Sequence, residues 1–131
     1  MPTFPAIHHL ALSVTDLDVS EPWYTRLIGD EPAMTMTDGP FRRRVFALPS
    51  GQLLGLTRHD AVDAGAAFDA SAPGMDHVGF GVSDRAELEQ WRDHLDGIGV
   101  AHSGIVEADY GDALSFQDPD GNALEFFVLA S

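Results

Sequence analysis

The chain of 131 residues contains no cysteine, and all seven of its cationic side chains are arginines, so lysine is absent too. Without cysteine there are no disulfides, no thiolate metal sites and no thiol nucleophile. Without lysine there is no Schiff-base chemistry and no P-loop. Positive charge is scarce overall, with 7 Arg against 21 Asp+Glu and a formal net charge of -14. Such a field repels phosphate backbones and anionic bilayers, so neither a nucleic-acid partner nor a membrane is expected. Long apolar runs are missing as well. Stretches such as Leu53 to Leu56 and Leu124 to Leu129 fall far short of the roughly 20 residues a membrane span requires. The first cation is Arg26, which leaves the amino terminus without the basic region of a secretory signal, and a cytoplasmic location is expected. What is present is a hydrophobic fraction of 44%, enough for a folded single domain of ordinary size.

The chain also repeats itself. Residues 7–29, IHHLALSVTDLDVSEPWYTRLIG, align with residues 75–97, MDHVGFGVSDRAELEQWRDHLDG, at an offset of 68. Identities fall at His9/His77, Val14/Val82, Asp16/Asp84, Glu21/Glu89, Trp23/Trp91, Leu27/Leu95 and Gly29/Gly97. Average composition would give roughly one or two such matches. The closing segments FALPSGQLLGLTRH (46–59) and FQDPDGNALEFFVL (116–129) align at an offset of 70, sharing Phe46/Phe116, Pro49/Pro119, Gly51/Gly121 and Leu54/Leu124. The two-residue change of offset is what a loop-length difference between duplicated copies produces.

Each copy reads as β-α-β-β-β, an α+β architecture of two tandem modules at residues 5–59 and 75–131, joined by the linker 60–74 within one domain. Apolar first strands are expected over Ile7 to Val14 and Met75 to Val82. In the second copy Asp84 and Glu87 form a capping pair, and Leu88, Trp91, Leu95 and Ile98 line one helical face. In the first, Pro22 belongs in the opening turn, with Trp23 and Leu27 as the stripe. Gly29 and Gly97 should end the helices. Later strands are expected at Ala33–Thr37, Phe41–Leu48 and Gln52–Arg58, then at His102–Glu107, Asp112–Gln117 and Ala123–Leu129. PSGQ and DPDGN are hairpin turns.

Alternation along the strands then selects chemistry. His9, Ala11 and Ser13 share a face, as do His77, Gly79 and Gly81, so a hollow lies beside each imidazole. Glu125 is the lone charge of ALEFFVLA, and a buried carboxylate requires a partner. Two histidines at duplicated positions plus this carboxylate make a two-His-one-carboxylate metal set, His9, His77 and Glu125, with open coordination positions. Such donors suit Fe(II), Mn(II), Ni(II) or Zn(II). The duplicate of Glu125 is Gly55, so the fourth position offered by symmetry is empty. The ordinary role for any single strand histidine is a hydrogen-bonded core or rim residue; here the pattern carries the reading. His8 falls on the opposite face as a packing residue. His59 shares the face of Gly55 roughly 13 Å further along the strand, too far to replace a ligand but placed to line a pocket rim. His94 and His102 read as surface residues.

Two features admit two readings each. The run Arg42-Arg43-Arg44 is either a solvated edge that blocks strand pairing or, through Arg43 on the face of Val45 and Ala47, a holder of an anionic substrate or enediolate. Tyr110 is either a structural turn residue or a lid or proton relay.

These modules, with IHHLALSVTDLD and MDHVGFGVSDRA opening and FQDPDGNALEFF closing, resemble the vicinal oxygen chelate superfamily, also called the glyoxalase/bleomycin resistance/extradiol dioxygenase superfamily. The resemblance spans essentially the whole chain. It implies an incomplete barrel from the four strands of each module, a divalent metal between paired modules, His9, His77 and Glu125 as its ligands, and a homodimer. Glyoxalase I carries a second glutamate, its proton-transferring base, where this chain has Gly55, which departs from a conventional glyoxalase I. Fosfomycin-resistance transferases and extradiol dioxygenases use the three-ligand pattern. Bleomycin-binding members lack the metal set.

The leading expectation is therefore a metal-dependent enzyme that chelates a small oxygenated molecule through two of its oxygens. The alternative is a non-catalytic drug-binding protein, whose charge would attract a cationic ligand stacked on Trp23 or Tyr110. A third reading is a degenerate regulatory or structural module.

Overall fold

The computed structural model describes residues 1–37 and 39–130. The expected module limits of 5–59 and 75–131 take in Asp38 and Ser131, which lie outside the described residues. Contacts divide the chain into two compact units, Met1–Ala66 and residues 67 onward.

The first unit runs β1 (His9–Ser13), α1 (Leu17–Ile28), β2 (Met34–Met36), β3 (Phe41–Ala47) and β4 (Leu53–His59). Its sheet has the order β1-β4-β3-β2, with β1 parallel to β4 and the other pairs antiparallel. The second unit repeats this with β5 (Val78–Gly81), α2 (Arg85–Gly97), β6 (His102–Ala108), β7 (Gly111–Gln117) and β8 (Ala123–Leu129). There the order is β5-β8-β7-β6, with β5 parallel to β8. The architecture is mixed α+β: two open four-stranded sheets, each with its own helix. β3 and β7, like β4 and β8, correspond at the offset of 70, whereas the helix caps Asp16 and Asp84 correspond at 68. The step therefore falls between helix and third strand. In the second unit that stretch holds β6, whose register shifts between His102 and Ile105 where Gly104 takes a φ of 74°.

In the first unit Asp16 caps α1, its carboxylate accepting from the Asp18 N–H at 2.9 Å. The helix thus begins at Leu17, and Pro22 sits inside it rather than in the opening turn. The early cap dictates this, and the proline costs the helix the hydrogen bond that residue 22 would donate to the Asp18 carbonyl. The buried stripe is Leu17, Ser20, Tyr24 and Leu27, so it keeps Leu27 and takes Tyr24 in place of Trp23, because the sheet, through Phe46, packs against the Tyr24 side of the helix. Trp23 is half-buried on the flank, edge-on to Tyr24 with ring centroids 4.8 Å apart. Tyr24 packs near Phe46, and with Leu12, Leu54 and Leu56 it forms a fully buried layer. Each such side chain contributes about 1.5–3 kcal/mol over leaving it in water. Gly29 ends the helix with a φ of 88°.

In the second unit Asp84 caps α2 by accepting from the Glu87 N–H at 2.8 Å. Glu87 reaches back not to Asp84 but one residue further, accepting from the Ser83 N–H and hydroxyl at 2.7 Å each. Leu88 and Leu95 are fully buried. Trp91 is half-buried and stacks on Phe126 at 4.3 Å and 16°, and Phe116 stacks on the same ring at 5.3 Å. Gly97 is the last helical residue; the left-handed turn falls at Gly99, with φ 75°. The hairpin at 118–122 is tied by Asp118, whose carboxylate accepts from the Asp120 N–H at 2.9 Å and the Asn122 N–H and side-chain amide at 2.8 Å each. Among the described residues no helix is long and apolar enough to cross a membrane.

β3 lies between β4 and β2. The edge-guard reading of Arg42-Arg43-Arg44 is therefore overturned, because an inner strand has no free edge to protect.

Candidate functional site

The helix covers one face of each sheet, so the metal-set residues belong to the other face. In the second unit, Glu125 on β8 pairs in register with Gly79 on β5, two residues after His77, which immediately precedes that strand. An added Cβ at Gly79 would lie 3.4 Å from the Glu125 Oε1, so the carboxylate leans over the bare glycine. It reaches diagonally to His77, with Oε1 3.6 Å from Nε2. The other ring nitrogen, Nδ1, is held 2.7 Å from the Asp76 carboxylate. A carboxylate that fixes Nδ1 directs Nε2 toward a ligand, as it does around metal-bound histidines. The Asp76 hydrogen bond holds His77 above the ordinary histidine value; partial burial opposes it and the charge of Glu125 adds to it.

Glu125 is not the sealed-in carboxylate that its apolar neighbours suggest. Its side chain keeps 22% exposure, because the small residues opposite, Gly79 and Gly81, leave that face open. Tyr110, in the turn between β6 and β7, is exposed and stacks on Phe127 at 6.0 Å. Phe127 shares the face of Glu125 by alternation along β8, so the ring pair forms a shelf at that sheet end.

In the first unit, register places His9 opposite Leu53, Ala11 opposite Gly55 and Ser13 opposite Thr57 on β4, which in turn face Ala47, Val45 and Arg43 on β3. His9, Gly55, His59 and Arg43 thus share one face. His9 is exposed, and its Nδ1 lies 2.8 Å from the Nδ1 of His8. His8 is therefore no packing residue but an exposed hydrogen-bond partner of His9, since it precedes the first residue of β1 in a fully exposed stretch of chain. His59 is exposed with its ring edge-on to Phe41 at 6.2 Å. An added Cβ at Gly55 would lie 3.4 Å from the Ala11 Cβ and 3.8 Å from the Arg43 Cδ, ordinary contact distances. Arg43 donates from Nε to the Thr57 hydroxyl at 2.7 Å, and its guanidinium lies 4.5 Å over the Phe41 ring.

The structure brings His77 and Glu125 together; His9, Arg43, Gly55 and His59 stand in the first unit. Among the described residues no three His, Asp or Glu side chains form a ready metal cluster. His77 and Glu125 are donors of the types that could hold a divalent metal, the imidazole being oriented by a carboxylate. His102 is not a surface residue: its side chain is 14% exposed, with Nε2 2.7 Å from Asp96 and Nδ1 accepting from the Gly104 N–H. The bulge in β6 folds it inward. His94 packs edge-on against Trp91 at 5.4 Å. Alternation misses Asp76, Thr57 and Phe41. Asp76 neighbours His77 in the chain and so falls on the opposite face by period, while Thr57 and Phe41 become visible only once the β3–β4 register is known.

A family model described as the Glyoxalase/Bleomycin resistance protein/Dioxygenase superfamily matches residues 6–126. The chain belongs to this superfamily. Among solved structures, a glyoxylase/bleomycin resistance protein/dioxygenase domain from Frankia sp. EAN1pec is 29% identical, with a TM-score of 0.89 over 98% of this chain and 95% of that one. The fosfomycin resistance protein FosX from Listeria monocytogenes is 15% identical, with a TM-score of 0.72 over 98% of this chain and 96% of that one. A lactoylglutathione lyase from Agrobacterium tumefaciens is 23% identical, with a TM-score of 0.69 over 94% and 92%. The last two share the superfamily fold. No curated protein matches the chain. The superfamily includes enzymes, and its members typically use divalent metals.

Proposed function

We propose that this superfamily member is a metal-dependent enzyme acting on a small oxygenated molecule, with His9, His77 and Glu125 as the protein ligands. The observation that carries this reading is the approach of the His77 Nε2 and the Glu125 Oε1 to 3.6 Å over Gly79, with Asp76 holding the far side of the imidazole. His9 stands at the duplicated position of His77 in the first unit, and joins the pair from the same chain or from a second copy in a homodimer. A divalent ion held by these donors would act as a Lewis acid that polarises substrate oxygens. Fe(II), Mn(II), Ni(II) and Zn(II) all suit two imidazoles and a carboxylate. Gly55 supplies no carboxylate, so a conventional glyoxalase I proton transfer has no base at that position. A cytoplasmic homodimer completes the reading.

The test is metal content per chain, by mass spectrometry on tag-free protein purified without chelator, beside His77→Ala. About one divalent ion per chain, lost in the variant, supports the site. No ion, and none taken up on titration, overturns it. The net charge of -14 and the Tyr110–Phe127 shelf beside Glu125 would then favour the second reading, a binding protein for a cationic small molecule.

A further inference from the structure

Seven arginines face 21 acidic residues, and in such an excess a guanidinium without a carboxylate needs a reason. Arg44 pairs with Glu21 at 3.0 Å, Arg85 with Glu89, Glu107 and Asp112, and Arg92 with Asp93. Arg42, Arg43 and Arg58 make no ion pair among the described residues; Arg42 is exposed and Arg58 donates its Nε to the Thr15 carbonyl, whereas Arg43 is half-buried on the face of His9. It is also held in place. Its Nε donates to the Thr57 hydroxyl at 2.7 Å, on a residue only 3% exposed, and its guanidinium carbon lies 4.5 Å from the Phe41 ring centroid. Those two contacts fix the side chain while leaving both terminal nitrogens without a partner among the described residues. Gly55 contributes by lacking a side chain: a Cβ there would touch the Arg43 Cδ at 3.8 Å, and any longer side chain would compete for the space that the arginine stem crosses.

We propose that Arg43 is a carboxylate-binding residue on the face that carries His9, and that Thr57 positions it. The free Nη1–Nη2 edge is a planar fork whose spacing matches the two oxygens of a carboxylate. The pinned Nε and the cation–π contact with Phe41 limit the rotamer freedom that a flexible arginine would lose on binding. This deepens the proposed function by giving its small oxygenated substrate an anionic end, and it rests on that reading for the identity of the substrate but not for the anion site itself. At the position where a second glutamate would stand, the chain has instead made room for a cation.

The test is titration of acetate, with acetamide as its neutral counterpart, into the full-length protein before and after removal of metal by chelator. Binding is followed by the NMR shift of the Arg43 Nε–H. Acetate should give a saturable shift and acetamide none. Arg43→Ala and Arg43→Gln, followed through backbone amides of β3 and β4, should weaken acetate binding by at least about tenfold. Thr57→Val should weaken it with Arg43 still present, and exposed Arg42→Ala should leave it unchanged. Equal responses to acetate and acetamide overturn the proposal, as does unchanged affinity in both Arg43 variants or an equal loss in Arg42→Ala. Metal content should be the same in wild type and Arg43→Gln. Acetate binding that survives in a chain that takes up no metal removes the metal reading alone, whereas normal metal content without acetate binding removes the Arg43 assignment alone.

Discussion

Glu125 does not sit opposite His77 on the neighbouring strand; it sits opposite Gly79 and reaches His77 on the diagonal, Oε1 to Nε2 at 3.6 Å. The carboxylate passes close over the bare glycine, where an added Cβ would lie in ordinary contact with Oε1 at 3.4 Å and a larger side chain would compete for the same space. Glu125→Gln preserves shape and removes charge. Under the proposed function it should cut metal content per chain by at least about tenfold, consistent with loss of one of three ligands, while the circular dichroism spectrum and unfolding midpoint stay close to wild type. Undiminished metal binding in this variant would remove Glu125 from the ligand set.

The turn at 118–122 should be a point of high stability cost. Asp118 and Asn122 are 5% and 6% exposed, and the Asp118 carboxylate satisfies three N–H groups. Asp118→Ala leaves buried donors without acceptors, and the expected loss is about 3 kcal/mol. Urea unfolding measures it; a loss below about 0.5 kcal/mol, the range of ordinary surface substitutions, would show that water replaces the carboxylate.

Two glycines should respond differently to the same substitution. At Gly111 an added Cβ would collide with the Val128 carbonyl oxygen and with the Phe127 ring. Gly111→Ala should therefore destabilise by about 3 kcal/mol or more, from overpacking together with backbone strain. At Gly51 φ is 91° and nothing lies within 4 Å of an added Cβ, so only the conformational cost of about 1 kcal/mol applies. Paired unfolding curves decide, and equal losses would contradict the packing around Gly111.

Acid should loosen the start of α2. The Ser83 hydroxyl and N–H hold Glu87 below the ordinary carboxylate value, so folding favours its ionised form. That contribution is present in full above the usual glutamate range and disappears as pH falls through the lower, folded-state value. Glu87→Gln should therefore have a lower unfolding midpoint than wild type at neutral pH, with the gap narrowing on acidification. A gap that stays constant from neutral to strongly acid solution would show that Glu87 contributes nothing through its charge.

Much of the fold was readable in one dimension because the duplication supplied two versions of each element. Asp84 caps α2 as expected and Ala123–Leu129 forms a strand over its expected span, since caps and alternating apolar runs act within a few residues. The stripe of α1 was only half readable in the same way: Leu27 is buried as expected, but the choice of Tyr24 over its neighbour Trp23 is made by packing against Phe46. The inward turn of His102 depends on a bulge for which Gly104 is a sign only in hindsight.

For the site, composition and repetition determined which residue types stand at matching positions: a histidine opening the first strand of one unit and immediately preceding that of the other, a glutamate on the last strand of one and a glycine on that of the other. Those facts are properties of the chain and survive any packing. Tertiary structure alone decided what holds them. Strand register brought Glu125 over Gly79 toward His77, the backbone at 76–77 put Asp76 on the far nitrogen, and the β3–β4 pairing set Thr57 opposite Arg43. Alternation says which face a side chain occupies, whereas distance across a sheet depends on which residues are paired, and pairing is a long-range choice made by the whole unit as it packs.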